Sequence, residues 1–143
     1  MNNQLLLVLS AYAMVVLTAI VGMRLLYVRT KEMKKKRVHP QAASTSLQMA
    51  TKLEDVRAAD NFKNLFEVPV LFYGLVATAV ATESTPTWLV IGAWLFVGLR
   101  AAHSYIHCTY NKVMHRFPVF LLGFAAVVGL WTGLLFSLPK SAV

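Results

Sequence analysis

Four segments of this chain carry apolar runs long enough to cross a lipid bilayer, which constrains its fold more than any other feature. A transmembrane helix needs about 20 predominantly apolar residues. Hydrophobic residues make up 57% of the 143 residues and charged residues 14%, whereas a soluble domain carries about 25% charged residues. We therefore predict an all-α integral membrane four-helix bundle in a single domain, 1–143. The predicted helices cover approximately residues 4–28, 47–82, 87–106 and 118–138.

The distribution of basic residues predicts the topology. The segment Arg29–Pro40 holds six Lys or Arg residues and one acid, and it follows the first apolar run. Loops rich in Lys and Arg stay cytoplasmic, so both termini are expected on the non-cytoplasmic side, and Lys140 is the basic residue assigned there. No basic segment precedes the first run, which favours an uncleaved helix over a signal peptide. A bacterial inner membrane is favoured over the endoplasmic reticulum.

Several other functions have little support in the composition. The basic segment is interpreted as a topology determinant that contacts anionic lipid headgroups. No aromatic residues interleave it, so we do not expect nucleic-acid binding. The four histidines and the single Cys108 lack the spacing of a zinc site, and no base stands beside Cys108 in a known catalytic motif. The chain is therefore expected to bind no metal.

A polar stripe on the second helix points to a functional site. At about 100° per residue, five polar side chains fall within roughly a third of the helix circumference. Each ionised group facing hydrocarbon would cost about 2.5–3.5 kcal/mol. The stripe must therefore face other helices, water or a polar ligand. Its members are Arg57, Asp60, Asn61, Asn64 and Glu67.

The third helix carries a second polar stripe at the same predicted depth. Its members share one helix face because they are spaced by three, four, seven and eleven residues. They are Arg100, His103, Ser104, His107 and Asn111. Arg24 and Arg29 at the end of the first helix, and Arg116 at the start of the fourth, are expected at this level too. Four helices thus bring polar groups together.

Structural interpretations of these residues remain open. Arg24 and Arg100 could extend to the membrane interface as isolated cations. Glu67 could pair with Arg57 or Arg100 for structural reasons, and His103 could be an interior histidine. Isolated cations at the interface would not explain why the amides share the charged stripe.

The second-helix motif resembles that of the MAPEG superfamily, the membrane-associated proteins in eicosanoid and glutathione metabolism. That family shows Arg-Ala-x-x-Asn-x-x-Glu followed by proline. Arg57, Ala58 and Asn61 match its first part, with Asn64 at the glutamate position. A shift of three residues instead places Asn64 and Glu67 on the Asn-x-x-Glu pair. The shifted alignment is favoured for the amide and the acid.

The third helix resembles members of the same family that are similar to microsomal prostaglandin E synthase. Arg100, His103 and Arg116 match their arginine, histidine and second arginine. His107 replaces a tyrosine, with Tyr110 one turn away, and Phe117 stands where the family has a serine. In the first helix, Arg29 corresponds to the family arginine, with Arg24 as the alternative. The resemblance covers nearly the whole chain.

The resemblance implies a homotrimer with glutathione bound between protomers at the cytoplasmic level. It implies a transferase or peroxidase that acts on a lipophilic electrophile arriving through the bilayer, with Arg116 stabilising the glutathione thiolate. The implied glutathione ligands are Arg29, Arg57, Asn61, Asn64, Glu67, Arg100, His103, His107 and Tyr110. Enzymatic activity stays open, because a non-catalytic binding or scaffold protein of the same fold is the alternative. A small multidrug transporter is less favoured, because its first helix would carry an acid.

Overall fold

A computed structural model describes residues 2–138 of the chain, and within this range it is all-helical. Four of its helical stretches are long and apolar enough to cross a membrane. This confirms the predicted all-α integral membrane bundle. Lys140 lies outside the described residues, and the sidedness of the termini stays a prediction. The helices are α1 (Asn3–Lys36), α2 (Ser46–Lys52), α3 (Arg57–Asn64), α4 (Val68–Ala81), α5 (Thr87–Cys108) and α6 (Val113–Ser137), with a 3-10 turn at Pro40–Ala43.

Helix α1 is longer than predicted, since it continues through the basic segment to Lys36. The expected loop is therefore mostly helix, because its Lys, Glu and Met residues are good helix formers. Three lysines in the last turn also interact favourably with the carbonyl end of the helix dipole. A helix of 34 residues is about 51 Å long, whereas the hydrocarbon core is about 30 Å thick. The last turns of α1 therefore project beyond the hydrocarbon.

The single helix predicted over residues 47–82 is wrong, because this stretch is divided into α2, α3 and α4. Thr45 caps α2 in a capping box with Gln48. The second break lies at residues 65–67, immediately before Pro69. A proline ring clashes with the carbonyl four residues earlier, here that of Leu65. Pro69 therefore contributes to a break within the span that was predicted as one helix.

Helix α6 begins at Val113, five residues earlier than predicted, so Pro118 lies inside the helix instead of opening it. Helix α5 begins at Thr87 as predicted and ends two residues late, at Cys108. The loop between them is short, and Asn111 adopts a left-handed conformation with φ of 47°. Asparagine tolerates this conformation better than most residues. The tight loop keeps the end of α5 close to the start of α6.

The core lies between α1, α4, α5 and α6, with Phe72 and Phe96 stacked at 4.6 Å between ring centroids. Large apolar side chains are exposed on the outer faces of the bundle, as contact with lipid requires. At one end, Asn3 donates from Nδ2 to the carbonyl of Thr85 over 3.0 Å, and Ser84 and Ser137 share a hydrogen bond. The opposite end holds the last turns of α1 and α5, all of α3 and the start of α6. We call it the polar end.

Candidate functional site

The two polar stripes meet at Asn61 on α3, which is fully buried. Its Nδ2 donates to Cys108 Sγ over 3.3 Å, and its Oδ1 accepts from Ser104 Oγ over 3.4 Å. One turn later, Asn64 Nδ2 lies 3.4 Å from His107 Nδ1. Hydrogen bonds between α3 and α5 thus occupy both amides. The convergence predicted for the second and third spans is observed for these residues.

Two arginines bind the carbonyl end of α5. Arg24 donates from Nη2 to the carbonyl of Cys108 over 2.6 Å, and Arg57 donates from Nη1 to the carbonyl of Thr109. Cations are favourable here because the last carbonyls of a helix lack helical partners. Arg24 therefore does not extend as an isolated cation. Both guanidinium groups hold α1 and α3 against the end of α5.

Asp55 also binds Arg57, through two parallel contacts of 2.8 Å from Nε and Nη2. The hydrogen bonds from the Arg57 side chain lower the pKa of the Asp55 carboxyl, although partial burial acts in the opposite direction. The sequence analysis missed Asp55. The signal was available, because an acid two residues before the arginine that opens a helix can fold back onto it. Arg57 therefore has protein partners on all three of its nitrogens.

Arg100 lies in the interior between α5 and α6 and is 1% exposed. Its guanidinium carbon lies 5.6 Å from the Phe96 ring centre and 5.2 Å from that of Phe120, and Nη2 donates to the Phe120 carbonyl over 3.2 Å. A Cβ at Gly123 would stand 2.6 Å from Nη2, so the glycine makes room for the guanidinium. Its Nε has no hydrogen-bond partner among the described residues. Arg100 is thus a buried cation held by aromatic faces and one carbonyl.

His103 and His107 lie on the same face of α5, each 3% exposed, with their ring centres 5.6 Å apart. Both ring nitrogens of His103 lack hydrogen-bond partners among the described residues. The backbone of Arg116 lies near this ring, without the geometry of a good hydrogen bond. The two imidazoles therefore connect the amides of α3 with the arginines of α5 and α6.

Arg116 on α6 is half-buried and donates from Nη1 to Asn111 Oδ1 over 2.7 Å. The backbone N–H of Asn111 bonds to the carbonyl of Ile106 over 2.8 Å, which folds the loop back against the last turn of α5. The short loop thus fixes the Arg116 side chain at the polar end. This position agrees with the depth predicted for Arg116.

Glu67 and Tyr110 lie outside this set of hydrogen-bonded residues. Glu67 is exposed at the break before α4, and among the described residues it pairs with neither Arg57 nor Arg100. Its backbone has left the helical conformation, with φ of −98° and ψ of −93°, so the stripe periodicity no longer applies. Tyr110 is exposed and its hydroxyl lies 3.4 Å from His115 Nδ1. Arg29 is half-buried, and its Nε has no partner among the described residues.

An apolar groove of about 590 Å³ runs between α1 and the α3–α4 junction. Phe62, Leu65 and Phe66 line one side, and Gly22 and Met23 on α1 line the other. The groove faces α1, whereas the Asn61 amide bonds to α5. The groove can accept an apolar molecule from lipid.

A family model described as "MAPEG family" matches residues 6–136 of the chain. Comparisons with curated proteins and with solved structures gave no match.

Proposed function

The chain belongs to the MAPEG family, and from this premise we propose that it binds glutathione at the polar end and transfers it to a lipophilic electrophile. One observation carries the proposal: the polar end holds more cations than acids. Within the described residues, the ion pairs join Lys36 to Glu32 and Glu54, and Arg57 to Asp55. Arg24, Arg29, Arg100 and Arg116 have no acid partner there. An anionic ligand would supply the missing negative charge.

Glutathione fits this set of groups because it carries two carboxylates and one ammonium group. Arginine binds carboxylates in a planar, two-point geometry. His103 and His107 add further polar groups on the same face of α5 as Arg100, and Asn64 Nδ2 lies 3.4 Å from His107 Nδ1. We assign the carboxylates to Arg29, Arg100 and the neighbouring histidines. Arg57 is assigned a structural part, because Asp55 and the Thr109 carbonyl already bind it.

Glu67 is assigned to the ammonium group of a glutathione bound between two copies of the chain. An exposed carboxylate at the start of a spanning helix would cost about 2.5–3.5 kcal/mol against hydrocarbon. A second copy packed against this face would remove Glu67 from lipid. The proposed assembly is a homotrimer in which each site lies between protomers.

Arg116 is the proposed catalytic residue. A guanidinium beside the glutathione sulfur lowers the thiol pKa and favours the thiolate. The thiolate then attacks an electrophilic carbon, forms the sulfur–carbon bond, and expels a leaving group with its electron pair. The Arg116–Asn111 bond supports this part because it holds the guanidinium in place before the substrate arrives.

The electrophile is proposed to reach the site from the bilayer. The groove between α1 and the α3–α4 junction is almost entirely apolar and opens on the lipid-facing surface. Its walls at Phe62 and Phe66 suit a planar or aromatic substrate, since the two rings meet edge to face at 5.1 Å.

Two measurements on the purified full-length protein test this function. One is the absorbance of the glutathione thiolate, and the other is the rate at which glutathione is conjugated to a chlorodinitrobenzene. The wild type is expected to raise the thiolate absorbance of bound glutathione near neutral pH and to catalyse conjugation. Arg116→Gln should lower the conjugation rate roughly ten- to thousandfold, because one cation shifts a neighbouring pKa by about one to three units. The exposed Lys112→Gln, nearby in the chain, is the matched control and should keep wild-type activity.

A non-catalytic binding protein is the second candidate, and two observations favour it. Arg116 already has a protein acceptor in Asn111, and Phe117, at the position where the family resemblance has a serine, is exposed. On this alternative, glutathione binds without thiolate formation, and Arg116→Gln leaves all properties unchanged. Absence of conjugation together with glutathione binding would establish the alternative and exclude the transferase.

A further inference from the structure

We propose that a basic groove at the end of α1 binds the headgroup of an anionic phospholipid. This groove is separate from the hydrogen-bonded residues shared by α3, α5 and α6, and lipid binding there does not depend on glutathione. The groove has a volume of about 400 Å³. Its lining includes Thr30, Met33, Lys34, Arg37, Val38 and His39.

The backbone turns back on itself to form this groove. Arg37 adopts a left-handed conformation with φ of 52°, and its N–H bonds to the carbonyl of Lys34. The next N–H, of Val38, bonds to the carbonyl of Met33 over 3.0 Å. These paired bonds form a Schellman-type ending, which satisfies carbonyls that the helix leaves free. The chain after Arg37 is therefore folded against the last turns of α1, and a concave surface results.

The charges around the end of α1 are segregated by side. At about 100° per residue, Lys34 lies about 40° from Thr30, whereas Glu32 and Lys36 lie about 160° and 120° away. On that other side, Lys36 pairs with Glu32 and Glu54 at 3.1 and 2.8 Å. Among the described residues, no acid lies within ion-pair distance of Lys34 or Arg37. The groove side is therefore left with uncompensated positive charge.

The groove begins at the outer edge of the lipid headgroup layer. About 20 residues after Leu5 suffice to cross the hydrocarbon, and Thr30 then stands roughly 7 Å beyond it. The headgroup layer is about 5–7 Å thick on each side. Lys34 stands about 6 Å farther out than Thr30, and its long side chain can reach back to the edge of this layer. A lipid headgroup is thus the anion that this groove meets at the highest concentration.

The side chains suit a phosphodiester that carries a polar headgroup and apolar chains. Lys34 and Arg37 are exposed and can donate to phosphate oxygens. Gln41 N donates to His39 Nδ1, which leaves the other ring nitrogen to carry the proton and donate. Met33 and Val38 are half-buried and offer apolar contacts to the glycerol and the first methylenes. Polar and apolar groups together favour a phospholipid over free phosphate.

Native mass spectrometry of the full-length protein in neutral detergent, with added phosphatidylglycerol, tests this proposal. The wild type is expected to retain phosphatidylglycerol in preference to phosphatidylcholine. The double variant Lys34→Gln, Arg37→Gln should bind phosphatidylglycerol roughly thirtyfold more weakly, because each basic residue near an anionic surface contributes about a fivefold gain. The double variant Lys31→Gln, Lys35→Gln is the matched control, since it removes an equal charge from exposed positions of the same helix end outside the groove.

The controls distinguish lipid binding in the groove from general charge attraction, and they distinguish a loss of binding from misfolding of the variant. Far-UV circular dichroism and thermal unfolding should be the same for the wild type and both variants, because the substituted side chains are exposed. Equal loss in the Lys31→Gln, Lys35→Gln control, unchanged binding in the Lys34→Gln, Arg37→Gln variant, or equal retention of phosphatidylcholine would each overturn the proposal. So would displacement of the lipid by inorganic phosphate at the same concentration, which would identify the site as one for a free anion.

Discussion

Asn61 joins α3 to α5, and it does so with both ends of one buried amide. Its Nδ2 bonds to Cys108 Sγ and its Oδ1 to Ser104 Oγ. Ser104 and Cys108 are also buried, so neither has ready access to water. A buried polar group without a partner is costly, and loss of one partner affects the groups that remain. Asn61 therefore fixes the position of α3 at the polar end.

Replacing Asn61 with alanine is expected to destabilise the fold by about 1–3 kcal/mol, because the Ser104 hydroxyl would lose its partner in the interior. Denaturant unfolding in detergent, followed by circular dichroism, measures the change. Lys63→Ala on the same helix is exposed and should stay within about 0.5 kcal/mol of the wild type. Equal effects of the two substitutions would show that the buried amide contributes nothing specific.

The Asp55–Arg57 pair predicts that the stability of the fold depends on pH in the acidic range. The pKa of the Asp55 carboxyl is lowered in the folded protein, mainly by hydrogen bonds from the Arg57 side chain. Its contribution to stability is therefore complete above the unfolded-state pKa of about 3.9 and is lost as pH falls through the lower folded-state value. The free energy of unfolding, measured from pH 6 down to acid, should depend less on pH in Asp55→Asn than in the wild type. An unchanged acid dependence in that variant would contradict the assigned role.

At the scale of elements, the contact between α5 and α6 depends on a glycine facing a cation. Gly123 leaves the space that the guanidinium of Arg100 occupies, and Phe96 and Phe120 cover its faces. The aromatic rings provide cation–π attraction. Because Arg100 is 1% exposed, it has little room to move away from an added methyl group.

Gly123→Ala is expected to destabilise the protein by about 1–3 kcal/mol, since an added methyl would overpack the α5–α6 contact. Gly129→Ala on the same helix is the matched control, because a Cβ there meets nothing within 4 Å. Alanine at that position should be neutral or stabilising by up to about 1 kcal/mol, as alanine favours helix more than glycine does. Thermal unfolding of both variants in the same detergent measures the difference. The opposite ranking would show that the contact tolerates added volume.

The sequence predicted the elements well where a single periodicity held throughout. The face of α5 is an example, because Arg100, His103 and His107 all lie buried on it as their spacing indicated. The prediction failed for the second span, where the stripe was extended past the end of α3 at Asn64 to Glu67. Helical spacing cannot place a side chain beyond a break, and Glu67 is accordingly exposed on a different surface. The tertiary partner of Arg57, the Thr109 carbonyl, could not be predicted from spacing along one helix, whereas its local partner Asp55 could have been found.

At the scale of the whole molecule, polar groups from all four spans gather near one end, and apolar surface covers the rest. Arg24 from α1, Asn61 from α3, and Ser104 and Cys108 from α5 form connected contacts. Arg116 from α6 lies beside the histidines of α5. The cations at this end exceed the acids that pair with them. An anionic ligand bound by several spans is the simplest way to balance that charge.

Unfolding of the purified full-length protein with and without glutathione tests this balance most directly. For a site of micromolar affinity, millimolar glutathione should stabilise the protein by about 4 kcal/mol. N-acetylcysteine amide, which has the thiol but neither the carboxylates nor the ammonium group, should give no comparable shift. A glutathione-dependent shift that is smaller in Arg116→Ala than in Lys112→Ala is the predicted result. An unfolding transition that does not move at millimolar glutathione would contradict the account.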